Sequence, residues 1–146
     1  MSRRVRVHQF VVAEIVRPQS PSWRKSDLFC VSHWFDVPAD TEFPYTVARM
    51  QVFTRFYLSR ARPTDFRVRV TWLHAPGGVS RVIGNFGPFA VPFARDTTAR
   101  DCSFNLHNIR LQGVGVHRIE LIREGQRGWT AGKVVRVATT YFVVER

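Results

Sequence analysis

Lysine is almost missing from this chain: of its 22 basic residues only Lys25 and Lys133 are lysine, and the rest are arginine. Other features are missing too. No apolar stripe of 3.6-residue period persists over three turns, which excludes a helical bundle and the helices that a parallel sheet needs as crossovers. No apolar run is long enough to cross a bilayer as a helix, so no membrane is expected. There is no repeat of fixed period, which excludes solenoids, and no composition shift that would mark a linker. With two cysteines in 146 residues, Cys30 and Cys102, a disulfide-stapled scaffold is excluded, and both thiols are expected to be buried.

What remains is a chain of single-domain length that can bury a core without staples, so one domain over 1–146 is expected. Its hydrophobic share of 45% is ordinary, whereas 22 basic residues against 11 acidic ones give a net charge of +11. Arginine carries a planar, permanently charged fork suited to carboxylate and phosphate, so the charge raises a polyanionic partner as a hypothesis. An arginine bias of whole-genome origin would look the same. The opening MSRRVRV is followed by HQFVVAEIV, which Gln9 and Glu14 interrupt and which has no small-residue cleavage site. It reads as a first strand rather than a signal, and a cytoplasmic location is expected.

Alternation of apolar and polar residues recurs along the chain and predicts strands. Residues 5–16 form the first, with Val5, Val7, Val11, Ala13 and Ile15 on one face; RPQSPSWRKSD follows as a loop. Residues 28–37 form a second. In the third, Ala48, Met50, Val52, Phe56 and Leu58 share a parity, and beyond SRARPTD so do Phe66, Val68, Val70 and Trp72. These two segments are expected to make a long antiparallel hairpin with one face to the core. APGG and NFGP read as turns around a short run at 79–83, and FAVPF gives a further run whose proline suits an edge or bulge. Strands over 101–111, 116–124 and 133–145 complete the set. About eight strands at such spacing predict an all-β protein, an antiparallel two-sheet β-sandwich of jelly-roll-like kind.

The segment FNLHNIRLQGVGVHRIELIREG carries Asn105, Leu106, Ile109, Leu111, Gly113, Gly115, Ile119, Leu121 and Gly125. With the short strand before it and the valine-rich strand after it, this layout resembles small bacterial β-sandwich proteins of unknown function. In those proteins an N-L-x-x-(L/I)-x-L-x-G-x-G-x-Y pattern precedes a turn glycine. The resemblance spans about the last two-thirds of the chain and implies a sandwich, with nothing catalytic. His117 stands where the pattern prefers tyrosine, which implies a packed or rim position.

Three constellations compete for a functional role. His107 and His117 each share parity with apolar neighbours, so both are expected to approach the core side as satisfied imidazoles; no HxH or HxxxH spacing points to a metal, and no cofactor is expected. Cys30, His33 and Asp36 bring a thiol, an imidazole and a carboxylate together in sequence, yet on one strand His33 faces away from the other two. With no glycine-framed nucleophile, phosphate loop or paired carboxylates, enzymatic activity is not expected. The third is a surface: the outward parity of the expected hairpin holds Arg49, Phe53, Arg55 and Tyr57 on one strand, Arg60 and Arg62 in the turn, and Arg67 and Arg69 on the next. Guanidinium groups between aromatics suit a protein interface or self-association, and equally a face that binds single-stranded nucleic acid. The chain is therefore expected to be a binding or assembly module with a protein partner or a second copy of itself, with single-stranded nucleic acid as the alternative and a small hydrolase as the last of the three readings.

Overall fold

The structure, a computed structural model, describes residues 5–18, 26–31, 34–58, 64–91, 99–124 and 134–146. All regular structure in them is β. In chain order the strands are β1 (Val5–Pro18), β2 (Ser26–Val31), β3 (Trp34–Asp36), β4 (Tyr45–Leu58), β5 (Thr64–Trp72), β6 (Arg81–Val91), β7 (Ala99–Leu111), β8 (Gly115–Glu124) and β9 (Val134–Glu145). They form a four-stranded sheet in the order β2-β1-β4-β7 and a five-stranded sheet in the order β3-β9-β8-β5-β6. Every pairing is antiparallel except the short one between β3 and β9. No helix among the described residues is long and apolar enough to cross a membrane.

The two sheets share a core. Phe10, Val12, Met50, Val52, Phe56, Phe104 and Leu106 from the first sheet pack in one buried cluster with Phe66, Val68, Val70, Ile119, Leu121 and Phe142 from the second. The aromatic side chains mesh there, with Phe56 stacked on Phe66 at 5.1 Å between ring centroids. Each fully buried side chain of this size contributes roughly 1.5–3 kcal/mol of transfer free energy, so this cluster is the main force holding the sheets together.

Several expectations are corrected by the pairing. The expected hairpin does not exist: β4 pairs with β1 and β7, while β5 pairs with β6 and β8 in the other sheet. Each strand does present an apolar parity to the core, but that parity is satisfied equally well from either side of it. Residues 28–37 are two strands in different sheets, so Cys30 and Asp36 do not share a face of one strand. The run through NFGP is one strand rather than a turn between two. β6 tolerates Gly84, Gly87 and Pro88 because it lies at the sheet edge and slips register twice against β5. Pro92 of FAVPF lies outside the described residues.

Two local irregularities reverse parity within strands. The register between β1 and β4 shifts between Val7 and Gln9. Val7 packs on the main core, but beyond the shift Phe10 and Val12 take the inward positions, and Val11 and Ala13 face out beside Phe53. In β7, Asn108 adopts a φ of 54°, a left-handed conformation that asparagine accepts more readily than most residues. Past it Ile109 and Leu111 are buried, while His107 and Ala48 are exposed, contrary to the inward positions expected for them.

Candidate anion-binding face

On β5, Phe66, Val68 and Val70 turn into the core, so Arg67, Arg69 and Thr71 point to the outer face of the five-stranded sheet. The register places Arg118 of β8 opposite Thr71, Glu120 opposite Arg69, and Ile122 opposite Arg67. On the far side of β8, Tyr141 stands opposite Arg118, Thr139 opposite Glu120 and Arg136 opposite Ile122. Four arginines thus gather round one carboxylate, with Asp65 at the end of the same face.

Glu120 is almost wholly shielded from water although it is on an outer face. Arg118 donates from Nε to its Oε1 at 3.1 Å, and Arg136 donates from Nε to its Oε2. A buried carboxylate needs such partners, because a lone charge removed from water would be strongly unfavourable. Both contacts run through Nε, and a guanidinium carries five N–H donors, so the Nη groups retain donors for a further acceptor. Arg69 makes a long contact to Asn85 Oδ1, at 3.5 Å. Round Glu120 arginine exceeds acid, while Asp36 and Glu145 pair at the far edge of the same face, where the exposed Trp34 beside Val143 joins Tyr141, 48% exposed, as an aromatic residue.

The outer face of the four-stranded sheet carries pairs of its own, beside the exposed Arg49 and Tyr57. Asp101, 1% exposed, takes both Nε and Nη2 of Arg55, at 2.7 and 2.9 Å, and this bond holds the Arg55 guanidinium above its usual pKa. Gln51 donates to Asn105 at 2.8 Å, and Phe53 is buried beside Val11 and Ala13 with the Arg55 guanidinium 5.8 Å from its ring centre. The residues expected to form one surface are therefore split. Arg49, Phe53, Arg55 and Tyr57 belong to one sheet, and Arg67 and Arg69 to the other. Arg60 and Arg62 lie outside the described residues. Arg118 and Arg136 were not singled out, since only the pairing of β5 with β8 and of β8 with β9 brings them beside Arg69.

The histidines do not form a site together. His117 is fully buried, not at a rim, with its ring parallel to Phe142 at 4.8 Å and to Trp72 at 6.3 Å. Its Nδ1 lies 3.0 Å from the Gly115 carbonyl oxygen, which fixes Nδ1 as the protonated, donating nitrogen; Nε2 is buried with no partner among the described residues. Burial lowers its pKa to about 4, against the opposing effect of the Gly115 bond, with a smaller lowering from His74. Among the described residues, no three His, Cys, Asp or Glu gather as a metal site. Cys102 is a free, half-buried thiol whose pKa is raised, chiefly by burial, against the lowering effect of the nearby Arg100 charge. His33 and the Cys30 side chain lie outside the described residues.

No protein-family model matches the chain, and no curated protein does. Among solved structures it is similar to the Pseudomonas fluorescens alkylpurine DNA glycosylase AlkC bound to DNA containing an abasic site analog, at 13% identity and a TM-score of 0.49. That alignment covers 100% of this chain and 32% of the glycosylase. It is also similar to the beta-glucosidase from Listeria innocua in complex with isofagomine, at 11% identity and a TM-score of 0.45, over 97% of this chain and 16% of the enzyme. The chain thus spans a third or less of the proteins it is similar to.

Proposed function

We propose that the chain is a non-enzymatic binding module that captures a protein partner by its carboxylates on the outer face of the five-stranded sheet. The observation that carries this reading is the grouping of Arg67, Arg69, Arg118 and Arg136 near the shielded Glu120, which Arg118 and Arg136 contact. Planar forks held in a rigid sheet are pre-ordered for bidentate carboxylate contacts, so less side-chain freedom is lost on binding. Two copies of the chain that met cluster to cluster would face like charge, which favours an acidic partner over that mode of self-association. The raised pKa of Cys102 also speaks against a nucleophilic role for that thiol.

The nucleic-acid alternative keeps a specific support in the exposed Tyr141 opposite Arg118 and the exposed Trp34 beside Val143, as stacking surfaces on the same face. It is the weaker reading because, of the two aromatics expected to stack, Phe53 is buried and Tyr57, though exposed, lies on the opposite sheet with it.

For the architecture, we read the two sheets as a closed sandwich. The order β1-β4-β7 facing β9-β8-β5-β6 repeats the immunoglobulin-type order of A, B and E strands facing G, F and C, rather than a jelly-roll order.

Fluorescence anisotropy of a labelled polyglutamate peptide and of a labelled single-stranded oligonucleotide, titrated at several salt concentrations, tests the reading. The peptide is expected to bind, and the double variant Arg67→Gln/Arg69→Gln, which leaves both Glu120 ion pairs in place, to weaken binding with its thermal midpoint nearly unchanged. Tighter oligonucleotide binding with a steep salt slope would transfer the face to the alternative. Undiminished peptide binding by the double variant would remove the face from both.

A further inference from the structure

Where the edge strands β6 and β7 pass each other, the two sheets leave a cavity of about 360 Å³ lined by Phe89 and Val91 on one side and by Arg100, Cys102 and Phe104 on the other. That volume falls in the range of small-molecule sites. Its walls are set by alternation. Phe104 is buried in the core, so Cys102 and Arg100, two and four residues before it, share its inward parity, and Phe89 meets the Phe104 ring at 5.0 Å.

Arg100 is out of keeping with this setting. It stands opposite Phe56, a fully buried residue, on the core side of the sheet. Its Nε is buried and has no hydrogen-bond partner among the described residues. Its positive charge acts on the Cys102 thiol, whose pKa it lowers against the effect of burial. The carboxylate next in sequence, Asp101, points to the opposite face and is taken by Arg55. This corner therefore combines apolar walls with a fixed positive charge and a buried, unsatisfied Nε–H donor, a costly arrangement unless an acceptor joins it.

We propose that the cleft between β6 and β7 is a binding site for a small amphipathic carboxylate, its acid group on the Arg100 guanidinium and its hydrocarbon along Phe89, Val91 and Phe104. The site is separate from the arginine face, and neither assignment depends on the other.

The test uses the full chain and octanoate as the probe, with octanol as the uncharged control. Octanoate is expected to slow alkylation of Cys102 by iodoacetamide at least fivefold at saturation, read by peptide mass spectrometry so that Cys30 is scored separately. Octanol should slow it much less, and Arg100→Gln should weaken the octanoate effect at least tenfold in concentration. Equal alkylation rates with and without octanoate would overturn the proposal, and so would equal protection by octanol. The comparison within the unaltered protein decides the matter even if Arg100→Gln folds poorly.

Discussion

Replacing His117 by phenylalanine should flatten the acid side of the stability profile. The imidazole is buried as its neutral form between Trp72 and Phe142 and titrates at about 4, whereas an unfolded histidine titrates near 6.5. Between those values the unfolded chain binds a proton that the folded chain does not, so lowering the pH favours unfolding. The stability carried by the neutral ring is complete above pH 6.5 and is lost progressively as the pH falls toward 4. At 1.36 kcal/mol per pH unit the loss is roughly 3 kcal/mol. Phenylalanine keeps a flat ring in the stack and removes the unpartnered Nε2, at the loss of the Nδ1–H bond to Gly115. The two effects are of similar size, so the variant should match the parent to within about 1 kcal/mol at pH 7.5. Urea unfolding of both proteins at intervals from pH 7.5 to 4.5 gives the test. The difference between the two curves isolates this residue, because every other titrating group is common to both. Parallel curves would refute the reasoning and would mean that the ring is solvated or protonated in the folded state.

Two further substitutions probe the same framework. Gly113→Ala should cost about 1–3 kcal/mol in a denaturant melt, since a Cβ there would lie 2.4 Å from Trp72 Cζ2, and the ring is held by its Nε1–H bond to Val114. Arg55→Met should cost about 2 kcal/mol by stranding the buried Asp101, a figure reduced from that of a fully buried pair because Arg55 is partly exposed. Adding Asp101→Asn should restore part of that loss, and additive effects of the two changes in a double-mutant cycle would show that the pair is not coupled.

The strands β7, β8 and β9 were legible almost to the residue, because alternation of long β-branched and aromatic runs between glycines has few other solutions. Their partners were not. Alternation reports that one face is buried, but it carries no label for the neighbouring strand or even for the sheet, which is why β4 and β5 read as a hairpin although they lie in different sheets. Single-residue irregularities did the remaining damage. The slip near residue 8 and the left-handed Asn108 each reverse every side chain beyond them. Neither has a strong sequence signature, since asparagine also occurs in regular strands. For the candidate face, the outward direction of Arg67, Arg69 and Arg118 could be read from parity. Their meeting with Arg136 round Glu120 could not, as it depends on pairings between segments far apart in the chain.

The short parallel strand β3 sets an order of events for biosynthesis. Trp34 lies beside Val143, Phe35 packs edge-on against Phe142, and the Val37 amide donates to the Glu145 carbonyl at 2.9 Å. A ribosome delivers β3 early and β9 after all the other described strands, so β3 must wait through most of translation with its apolar side chains unmatched. The five-stranded sheet therefore cannot close strand by strand as the chain emerges, and the pairing of β3 with β9 forms only once residues 134–145 have left the ribosome. A nascent chain halted before β9 would expose the β8 edge and the segment around Trp34 together, and both would be open to capture by chaperones.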